Sequence, residues 1–302
     1  MKRIIFVRAF RRETGGNAKV RDYFQHAAAH PQLDAYVWFT PDSAPREGTL
    51  WEAVPPDRVV VDADLRAYDY VFVNGKDWRL IPPGETRVIH LVQHLGYADD
   101  AELRGYLRRR AIRFCTSRAA YDAASPFANG PLHFVPAAID DALFEPGPSR
   151  DAGSVTIWGW KDPAFAGQLA DALRSEGVAP SMLSERWRPR GEILDALATT
   201  DVLVAIPNAS EGLFLPPLEA MARGCVVVCS DAIGNREYCS DGETVLQPPR
   251  GDVAAHSAAV LRLLRDDALR ERLRARGQVY AQTRRMADER RAVQRALSQT
   301  LG

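Results

Sequence analysis

The stretch SEGLFLPPLEAMARGCVVV, residues 210–228, contains the turn and helix signals that decide the fold of this chain. Gly212 and the pair Pro216 and Pro217 interrupt regular structure, and a short helix-like run then ends at Gly224. Proline fits the first position of a helix, where its missing N–H is not needed, and glycine fits the left-handed residue that ends one. The stretch therefore predicts a loop, a short helix and a buried strand in succession.

Two glutamates flank the start of this helix, because Glu211 precedes the loop and Glu219 falls in the predicted first turn. The unpaired N–H groups of a helix N-terminus form a site for an anion such as phosphate. A carboxylate beside a phosphate needs a different partner, and the hydroxyl groups of a sugar can donate to it. The pattern favours a nucleotide sugar as ligand. In the alternative interpretation Glu219 only complements the helix dipole and Glu211 is solvated.

Strands and helices alternate along the rest of the sequence. Apolar runs predict strands at residues 3–10, 33–40, 68–75, 86–94, 114–117, 131–139, 154–160, 201–207 and 225–230. Segments with helical spacing predict further helices at residues 17–30, 101–113, 118–124, 163–177, 190–200, 253–277 and 284–302. Short apolar strands that alternate with helices predict an α/β fold in which helices cover both faces of parallel sheets.

Residues 144–154, FEPGPSRDAGS, are rich in proline, glycine and serine and are typical of a linker. We therefore expect one domain in residues 1–147, a second in residues 148–284, and a C-terminal helix in residues 285–302. Open parallel sheets bind ligands beyond the carboxyl ends of their strands. Two sheets whose strand ends face each other would form one shared cleft between the domains.

The bulk composition excludes several classes of protein. The formal net charge of the 302 residues is zero, so no overall field attracts nucleic acid or anionic lipid. The apolar runs are too short to span a bilayer, and the N-terminal residues are typical of a strand rather than a signal peptide. The four cysteines form no Cys-x-x-Cys pair, so we expect buried thiols and a cytoplasmic location. No metal or other cofactor is expected, because no Asp-x-Asp motif occurs at the predicted phosphate site.

Several motifs of the second half resemble one family of enzymes. They are the paired glutamates, EAMARG, CVVVCSD, AIGNREYCSDGETVLQPP and LLRDDALRERL, with weaker matches in HFVPAAIDDALFEP and FCTSRAAYDAA. Together they resemble the donor-binding domain of retaining GT-B glycosyltransferases of the large fourth family, which includes bacterial mannosyl- and glucosyltransferases. The resemblance covers most of residues 113–274.

This resemblance implies a fold, a reaction and partners. The fold would be GT-B, with two Rossmann-like domains whose parallel sheets face an interdomain cleft. Residues 1–147 would bind the acceptor, residues 148–284 would bind the nucleotide-sugar donor, and residues 285–302 would pack back on the N-terminal domain. The reaction would be metal-independent hexosyl transfer to the hydroxyl of a glycan, a lipid-linked molecule or another acceptor, with retention at the anomeric carbon.

The resemblance also implies donor-binding residues. Glu211 would contact the hydroxyls of the donor sugar and Glu219 those of the ribose, while Lys161 would hold the diphosphate. Trp160 stands where an arginine is common in this family. The remaining positions that we assign to the donor are Gly15, Gly16, Gly159, Arg186, Arg188, Gly212, Leu213, Phe214 and Leu215, with Arg186 and Arg188 as substitutes for the missing arginine.

Catalytic and acceptor residues are implied in the same way. His94 ends a predicted strand and would contact the sugar or the acceptor, and it joins Lys161 and Glu211 as a predicted catalytic residue. Asn74 and Lys76 end another strand and are predicted acceptor residues. Lys19 is a further acceptor candidate, and its alternative is a solvated helix face. The plain alternative for the loop that contains Gly15 and Gly16 is a turn.

Other interpretations stay open for the arginine-rich segment and for the whole protein. Residues 104–113, RGYLRRRAIR, are typical of a solvated helix face, and the sharper alternative is peripheral contact with the inner face of a membrane or with an anionic acceptor. Two other functions fit the same fold. One is a nucleotide-sugar epimerase, and the other is a catalytically silent protein that binds nucleotide sugars.

Overall fold

A computed structural model of the chain describes residues 1–12, 14–85, 87–96, 100–145, 150–183 and 190–301. The chain forms two compact units. Unit 1 comprises Met1–Ala137 and Ala287–Gly302, and unit 2 comprises Ala138–Met286. The division falls before the proline-rich segment in which we expected it, because Ile139 and Leu143 already lie in the buried core of unit 2.

Unit 1 is built on a seven-stranded parallel sheet with the order β3-β2-β1-β4-β5-β6-β7. Buried valine, isoleucine and phenylalanine side chains fill both faces of its central strands, as is usual when helices cover a parallel sheet. The strands are β1 (Lys2–Arg8), β2 (Leu33–Phe39), β3 (Val59–Val60), β4 (Tyr70–Asn74), β5 (Val88–Val92), β6 (Ile112–Cys115) and β7 (Leu132–Phe134). The two-residue strand β3 is too short to show the sequence pattern by which strands are predicted.

The first three helices belong to unit 1 and are α1 (Gly15–Ala28), α2 (Ala101–Arg108) and α3 (Arg118–Ala124). Thr14 caps α1, since its side chain accepts a hydrogen bond of 3.2 Å from the N–H of Asn17. Gly15 and Gly16 are therefore the first two residues of the helix and not part of the loop before it. Short 3-10 helices lie at Pro56–Arg58, Leu65–Ala67 and Gly75–Leu80.

Helix α2 is shorter than the sequence predicts, and its arginines are not all solvated. Arg113 is fully buried in β6. Its guanidinium donates to the backbone oxygens of Leu107 and Asn129, both at 2.7 Å, and so satisfies carbonyl groups at the end of α2. Arg109 stacks over the ring of Trp78 at 4.6 Å. The prediction that residues 104–113 form one solvated or membrane-binding face is therefore wrong for these two arginines.

Unit 2 is built on a four-stranded parallel sheet with the order β11-β10-β8-β9. Its strands are β8 (Val155–Trp158), β9 (Ser181–Met182), β10 (Val202–Ala205) and β11 (Val226–Cys229). The last residues of three strands are paired, because Ala205 lies beside both Trp158 and Cys229. The loops that follow β8, β10 and β11 therefore leave the sheet at the same edge.

The helices of unit 2 are α4 (Pro163–Ser175), α5 (Arg190–Thr199), α6 (Leu215–Arg223), α7 (Val253–Arg265) and α8 (Asp267–Ala281), with 3-10 helices at Asp141–Phe144, Ile233–Asn235 and Gln282–Arg284. The sequence predicts α7 and α8 as one helix, and this is wrong. Asp266 separates them, because its side chain accepts from the N–H of Leu269 and caps the start of α8.

Helix α6 forms as its signals predict, with one difference at its start. Gly224 ends the helix in the left-handed conformation with φ of 83°, as predicted. The helix begins at Leu215, so Pro216 is its second residue and not its first. Glu219 is consequently the fifth residue, and no acidic side chain lies in the first turn. The predicted first-turn position of Glu219 is wrong by one residue.

The last helix, α9 (Met286–Leu301), packs on α1 in unit 1. Its Val293 and Leu297 are 1% and 3% exposed and join the core that α1 covers. Lys19 of α1 is buried and bonds to Glu289 of α9 at 3.0 Å. Within the described residues, no helix combines the length and the apolar character that a membrane span requires.

Candidate functional site

The carboxyl edge of the unit 2 sheet brings three loops together. They are residues 159–162 after β8, residues 206–214 after β10 and residues 230–236 after β11, and they begin beside one another in the sheet. Open parallel sheets bind their ligands at this edge, where loops and helix N-termini converge. The predicted donor residues Lys161, Glu211 and Gly212 all lie on these loops.

Lys161 and Glu211 form an ion pair across two of these loops. The Nζ atom of Lys161 lies 2.9 Å from Oε1 of Glu211, and the two side chains keep 20% and 16% of their surface exposed. The same Nζ lies 4.1 Å from the centre of the Trp160 ring, which is 46% exposed. A carboxylate and an indole thus hold one cation at a position that solvent reaches.

Gly159 has a packing role that the sequence analysis did not assign. A Cβ atom at this position would lie 2.3 Å from Cβ of Ala166 and 3.3 Å from Cδ1 of Ile206. Only glycine lets helix α4 approach the end of β8 this closely. Gly159 therefore sets the path of the loop that contains Lys161, and its contact with a donor stays a prediction.

The loop after β11 supports the loop that contains Glu211. A Cβ atom on Gly234 would lie 2.4 Å from the backbone oxygen of Glu211 and 2.5 Å from the carbonyl carbon of Gly212. The N–H of Ile233 donates to the backbone oxygen of Ala209 at 3.2 Å. These contacts fix the backbone on which Glu211 is placed.

Sequence reasoning missed Gly234 and also Tyr238, whose buried hydroxyl donates to the backbone oxygen of Phe214 just before α6. Both residues lie in AIGNREYCSDG, a motif that carried the resemblance without any assigned role. The signal was therefore present in the sequence. What was missing was the contact between loops that are neighbours in space and not in the chain.

Glu219 lies on α6 and is 7% exposed. No side chain caps the N-terminus of this helix, and Pro216 and Pro217 contribute no N–H group. The backbone donors nearest the helix start are therefore those of the predicted residues Leu213 and Leu215 and of Phe214 between them. This arrangement suits an anion at the helix start and a hydrogen-bond donor beside Glu219.

A second candidate site lies at the carboxyl edge of the unit 1 sheet. A pocket of about 280 Å³ is lined by Arg8, Asn74, Gly75, Lys76, Asp77, His94 and Leu103. The predicted residues Asn74, Lys76 and His94 thus line one pocket. His94 is exposed just after β5, Asn74 donates to the backbone oxygen of Leu91 at 2.9 Å, and Lys76 lies 3.9 Å from Glu102.

Arg8 and Asp77 belong to this pocket and were missed by the sequence analysis. Their side chains form a buried ion pair, with 5% and 9% of their surface exposed, and Arg8 also donates to Asn17 of α1. Burial lowers the pKa of Arg8, and the Asp77 charge opposes this shift; burial likewise raises the pKa of Asp77. The available signal was a charged residue that ends the apolar strand β1.

Other predicted residues of unit 1 have different places. The ammonium of Lys19 lies 2.7 Å from Asp22 as well as near Glu289, so it neither faces solvent nor lines the pocket. We remove it from the acceptor candidates. The backbone oxygen of Gly16 accepts from Gln93 at 3.1 Å. His90 is a core histidine, because it is fully buried edge-on to Trp78 and burial lowers its pKa well below the usual value.

Arg186 and Arg188 lie outside the described residues. Across the part of the chain that is described, no group of three or more His, Cys, Asp and Glu side chains is arranged to hold a metal ion. One Asp-x-Asp does occur in unit 1, at Asp62 and Asp64, and there Asp64 accepts from the N–H of Arg66 as the cap of a 3-10 helix.

The whole chain is similar in fold to solved glycosyltransferase structures. A crystal structure of Anabaena HepE in complex with UDP-glucose superposes with a TM-score of 0.76 at 15% identity, over 99% of this chain and all of that one. Residues 182–279 match the family described as glycosyl transferases group 1. This chain has the GT-B fold. The predicted α/β class with two Rossmann-like domains is thereby confirmed.

Curated relatives of this GT-B protein match it over shorter stretches. A phosphatidyl-myo-inositol mannosyltransferase of Mycobacterium leprae is 39% identical over 112 residues, which is 35% of this chain and 29% of that protein. The O-antigen chain mannosyltransferase B of Escherichia coli is 44% identical over 75 residues, or 25% of this chain and 19% of that protein. The chain thus spans less than a third of the length of these two relatives.

Proposed function

We propose that this GT-B protein transfers a hexose from a nucleotide-sugar donor to an acceptor hydroxyl. The observation that carries the proposal is the partly exposed pair of Lys161 and Glu211 at the carboxyl edge of the unit 2 sheet, beside the uncapped start of α6. This edge offers a cation, backbone donors and two carboxylates. Such a set matches a ligand with a diphosphate and many hydroxyl groups.

Each charged residue has a defined partner in the donor. The diphosphate takes the Lys161 ammonium away from Glu211, which is then able to accept from hydroxyls of the hexose. Glu219 accepts from hydroxyls of the ribose, and the N–H groups near Leu213 and Leu215 donate to the diphosphate. Donor binding therefore exchanges one ion pair for several charge-assisted hydrogen bonds.

The comparisons suggest which donors to test. The two curated relatives are named as mannosyltransferases, and the similar Anabaena structure contains UDP-glucose. GDP-mannose and UDP-glucose are therefore the first donors to compare. A bound donor stabilises the folded protein in proportion to the logarithm of its concentration over its dissociation constant, so thermal shifts rank a panel of donors before any acceptor is known.

The proposed chemistry retains the configuration at the anomeric carbon. The acceptor hydroxyl attacks on the face from which the diphosphate departs, the bond between the anomeric carbon and the diphosphate breaks, and a departing oxygen takes the acceptor proton. Lys161 and the backbone donors stabilise the negative charge that develops on this oxygen, which is the main electrostatic contribution to the rate. Proton NMR of the first-formed product shows whether the anomeric configuration is retained.

The same proposal includes independence of metal ions, because the ammonium of Lys161 would neutralise the diphosphate in place of a divalent cation. Activity is expected to survive an excess of EDTA. Complete loss with EDTA that magnesium or manganese restores would contradict this part and leave the donor assignment intact.

We assign the acceptor to the pocket of unit 1 that Asn74, Lys76 and His94 line. The polar side chains in its lining suit a hydroxyl-bearing molecule, and its position at the carboxyl edge of a parallel sheet is the usual place for a ligand. His94→Ala is expected to raise the KM for the acceptor and to leave donor binding unchanged.

The deciding experiment incubates the protein with the best-ranked donor and a mixture of glycan and lipid acceptors, followed by mass spectrometry. The proposal predicts a product heavier by one hexose and release of nucleoside diphosphate. An epimerase changes the nucleotide sugar without an acceptor, and a silent binding protein gives a thermal shift with no product. Lys161→Met is expected to lower the turnover number about a hundredfold. Arg174→Met, which removes a cation from an exposed ion pair on α4, is the matched control.

A further inference from the structure

Unit 1 has a second pocket, beside the edge strand β7 of its sheet. It measures about 450 Å³ and lies among α3, the edge strand β7 and the C-terminal helix α9. The polar side chains in its lining are Arg118, Tyr121, His133, Arg295 and Gln299. Its volume is in the range of pockets that hold small organic ligands.

The charge of this pocket has one sign, because its lining includes two arginines and no acidic residue. Arg118 lies over the rings of Phe134 and Tyr121, at 4.7 Å and 5.3 Å, so its guanidinium is held in position. Arg295 is exposed on α9, and no ion pair joins it to another described residue. Two guanidinium groups that share one pocket favour an anionic group, and phosphate or carboxylate matches their geometry best.

The rest of the lining is suited to hydroxyl groups. The Nε2 atom of His133 is buried and has no hydrogen-bond partner among the described residues. Its ring stacks on Phe114 at 5.4 Å with an interplanar angle of 28°, which fixes its orientation. Burial lowers the pKa of His133, so the imidazole is neutral at pH 7. A neutral imidazole, a phenol and an amide exchange hydrogen bonds with hydroxyls without adding charge.

We propose that this pocket binds a hexose phosphate, with the phosphate monoester between Arg118 and Arg295. The sugar hydroxyls meet His133, Tyr121 and Gln299, and the unpartnered Nε2 of His133 gains the hydrogen bond that a buried polar atom requires. Charge-assisted bonds from two guanidinium groups supply most of the affinity. The site is separate from the proposed donor and acceptor sites, and it does not depend on their assignment.

Calorimetric titration of the full chain with glucose 6-phosphate at pH 7 tests this site. We expect saturable binding that Arg295→Gln weakens about tenfold, in line with the loss of one charge-assisted hydrogen bond. Arg291→Gln is the matched control, because Arg291 lies on the same helix, pairs with Asp288 and is outside the pocket lining. Absence of binding at millimolar ligand, or equal binding by wild type and Arg295→Gln, would overturn the proposal.

Two further arms identify the form of the ligand. Inorganic phosphate is expected to bind at least tenfold more weakly than glucose 6-phosphate, and equal affinity would overturn the role given to His133 and the other hydroxyl partners. Sedimentation with phosphatidylcholine vesicles, with and without phosphatidic acid, asks whether the phosphate monoester of a lipid binds instead. One outcome would be that vesicles with phosphatidic acid bind the wild type but not Arg295→Gln, and that glucose 6-phosphate does not bind. This outcome would overturn the assignment of a hexose and would keep the assignment of a phosphate monoester.

Discussion

Two lysine–glutamate pairs in this protein have almost the same geometry and opposite surroundings. Lys161 and Glu211 lie 2.9 Å apart with 20% and 16% of their side chains exposed, and Lys19 and Glu289 lie 3.0 Å apart with 5% and 0% exposed. The first, exposed pair keeps part of both side chains open to solvent, so a ligand can approach its charges, although Oε1 of Glu211 is itself covered. The buried pair has no access to a ligand, and its charges must remain satisfied by the protein itself.

The partners of the two pairs reflect this difference. Lys19 also contacts Asp22 at 2.7 Å, and Nε2 of His26 lies 2.9 Å from the carboxylate of Glu289. The buried pair therefore belongs to a four-residue cluster between α1 and α9. Burial alone lowers the pKa of Lys19, but Glu289 and Asp22 outweigh it and raise the pKa. Burial raises the pKa of Asp22. The cluster therefore joins the C-terminal helix to unit 1, whereas the exposed pair is open to exchange.

The largest expected effect comes from breaking the buried pair with Lys19→Met. This change leaves Glu289 and Asp22 buried together without their cation, and loss of one partner from a buried pair costs about 3–5 kcal/mol. We expect the free energy of unfolding in urea to fall by this amount. Arg291→Met, which breaks an exposed pair on the same α9 helix, is the control and should cost less than about 1 kcal/mol.

The pH dependence of this variant adds a second check. The folded-state pKa of Lys19 is raised, so its stabilising contribution is complete below the unfolded-state pKa and is lost as the pH rises through the folded-state value. The difference in stability between wild type and Lys19→Met should therefore persist through neutral pH and shrink in strong alkali. A difference that vanishes between pH 6 and pH 8 would contradict the role given to Lys19.

Breaking the exposed pair with Lys161→Met should have the reverse outcome. We expect the free energy of unfolding to change by less than about 1 kcal/mol, because exposed ion pairs contribute little to stability. The turnover number should fall about a hundredfold, since the variant loses a cation that stabilises the leaving diphosphate. Arg174→Met in the same unit should leave both quantities unchanged. A large loss of stability with full activity would show that Lys161 has a structural role only.

Much of the fold could be predicted from the sequence, because apolar runs and turn residues act locally. Most strands of both sheets lie in the predicted runs. The exceptions are β3 and β9, which are two residues long and show no alternation, and the first half of β6, where Ile112 and Arg113 were predicted to be helical. The left-handed Gly224 was predicted from its place after a helical run. Asp266 was missed as a boundary because the helical spacing continues through it.

The site could be predicted only where one segment contains the signal. Glu211 and Glu219 share a motif, and the structure places both near the start of α6. The buried pairs were not predictable from spacing, since Arg8 and Asp77 are 69 residues apart and Lys19 and Glu289 are 270 residues apart. Arg113 was predicted as solvated because the carbonyl groups that bind it come together only in the folded chain.

The smallest expected effect concerns Trp160. Its ring contacts Lys161 of the exposed pair, and this aromatic contact is a further difference from the buried pair. A cation–π contact at an exposed site contributes about 0.5–1 kcal/mol. Trp160→Leu should therefore raise the KM for the donor about two- to fivefold with little change in stability. Trp160→Phe retains an aromatic face and should recover most of this loss. Equal kinetics for the two variants would show that the ring does not position Lys161.

The central claim is that Glu211 and Glu219 bind different parts of one donor, and calorimetry of two ligands tests it most directly. Glu219→Ala should weaken binding of the nucleoside diphosphate and of the intact nucleotide sugar alike, by about 1.5–3 kcal/mol for a lost charged hydrogen bond. Glu211→Ala should weaken the intact nucleotide sugar by a similar amount and leave the nucleoside diphosphate nearly unchanged. Negligible effects of both substitutions on both ligands would contradict the account.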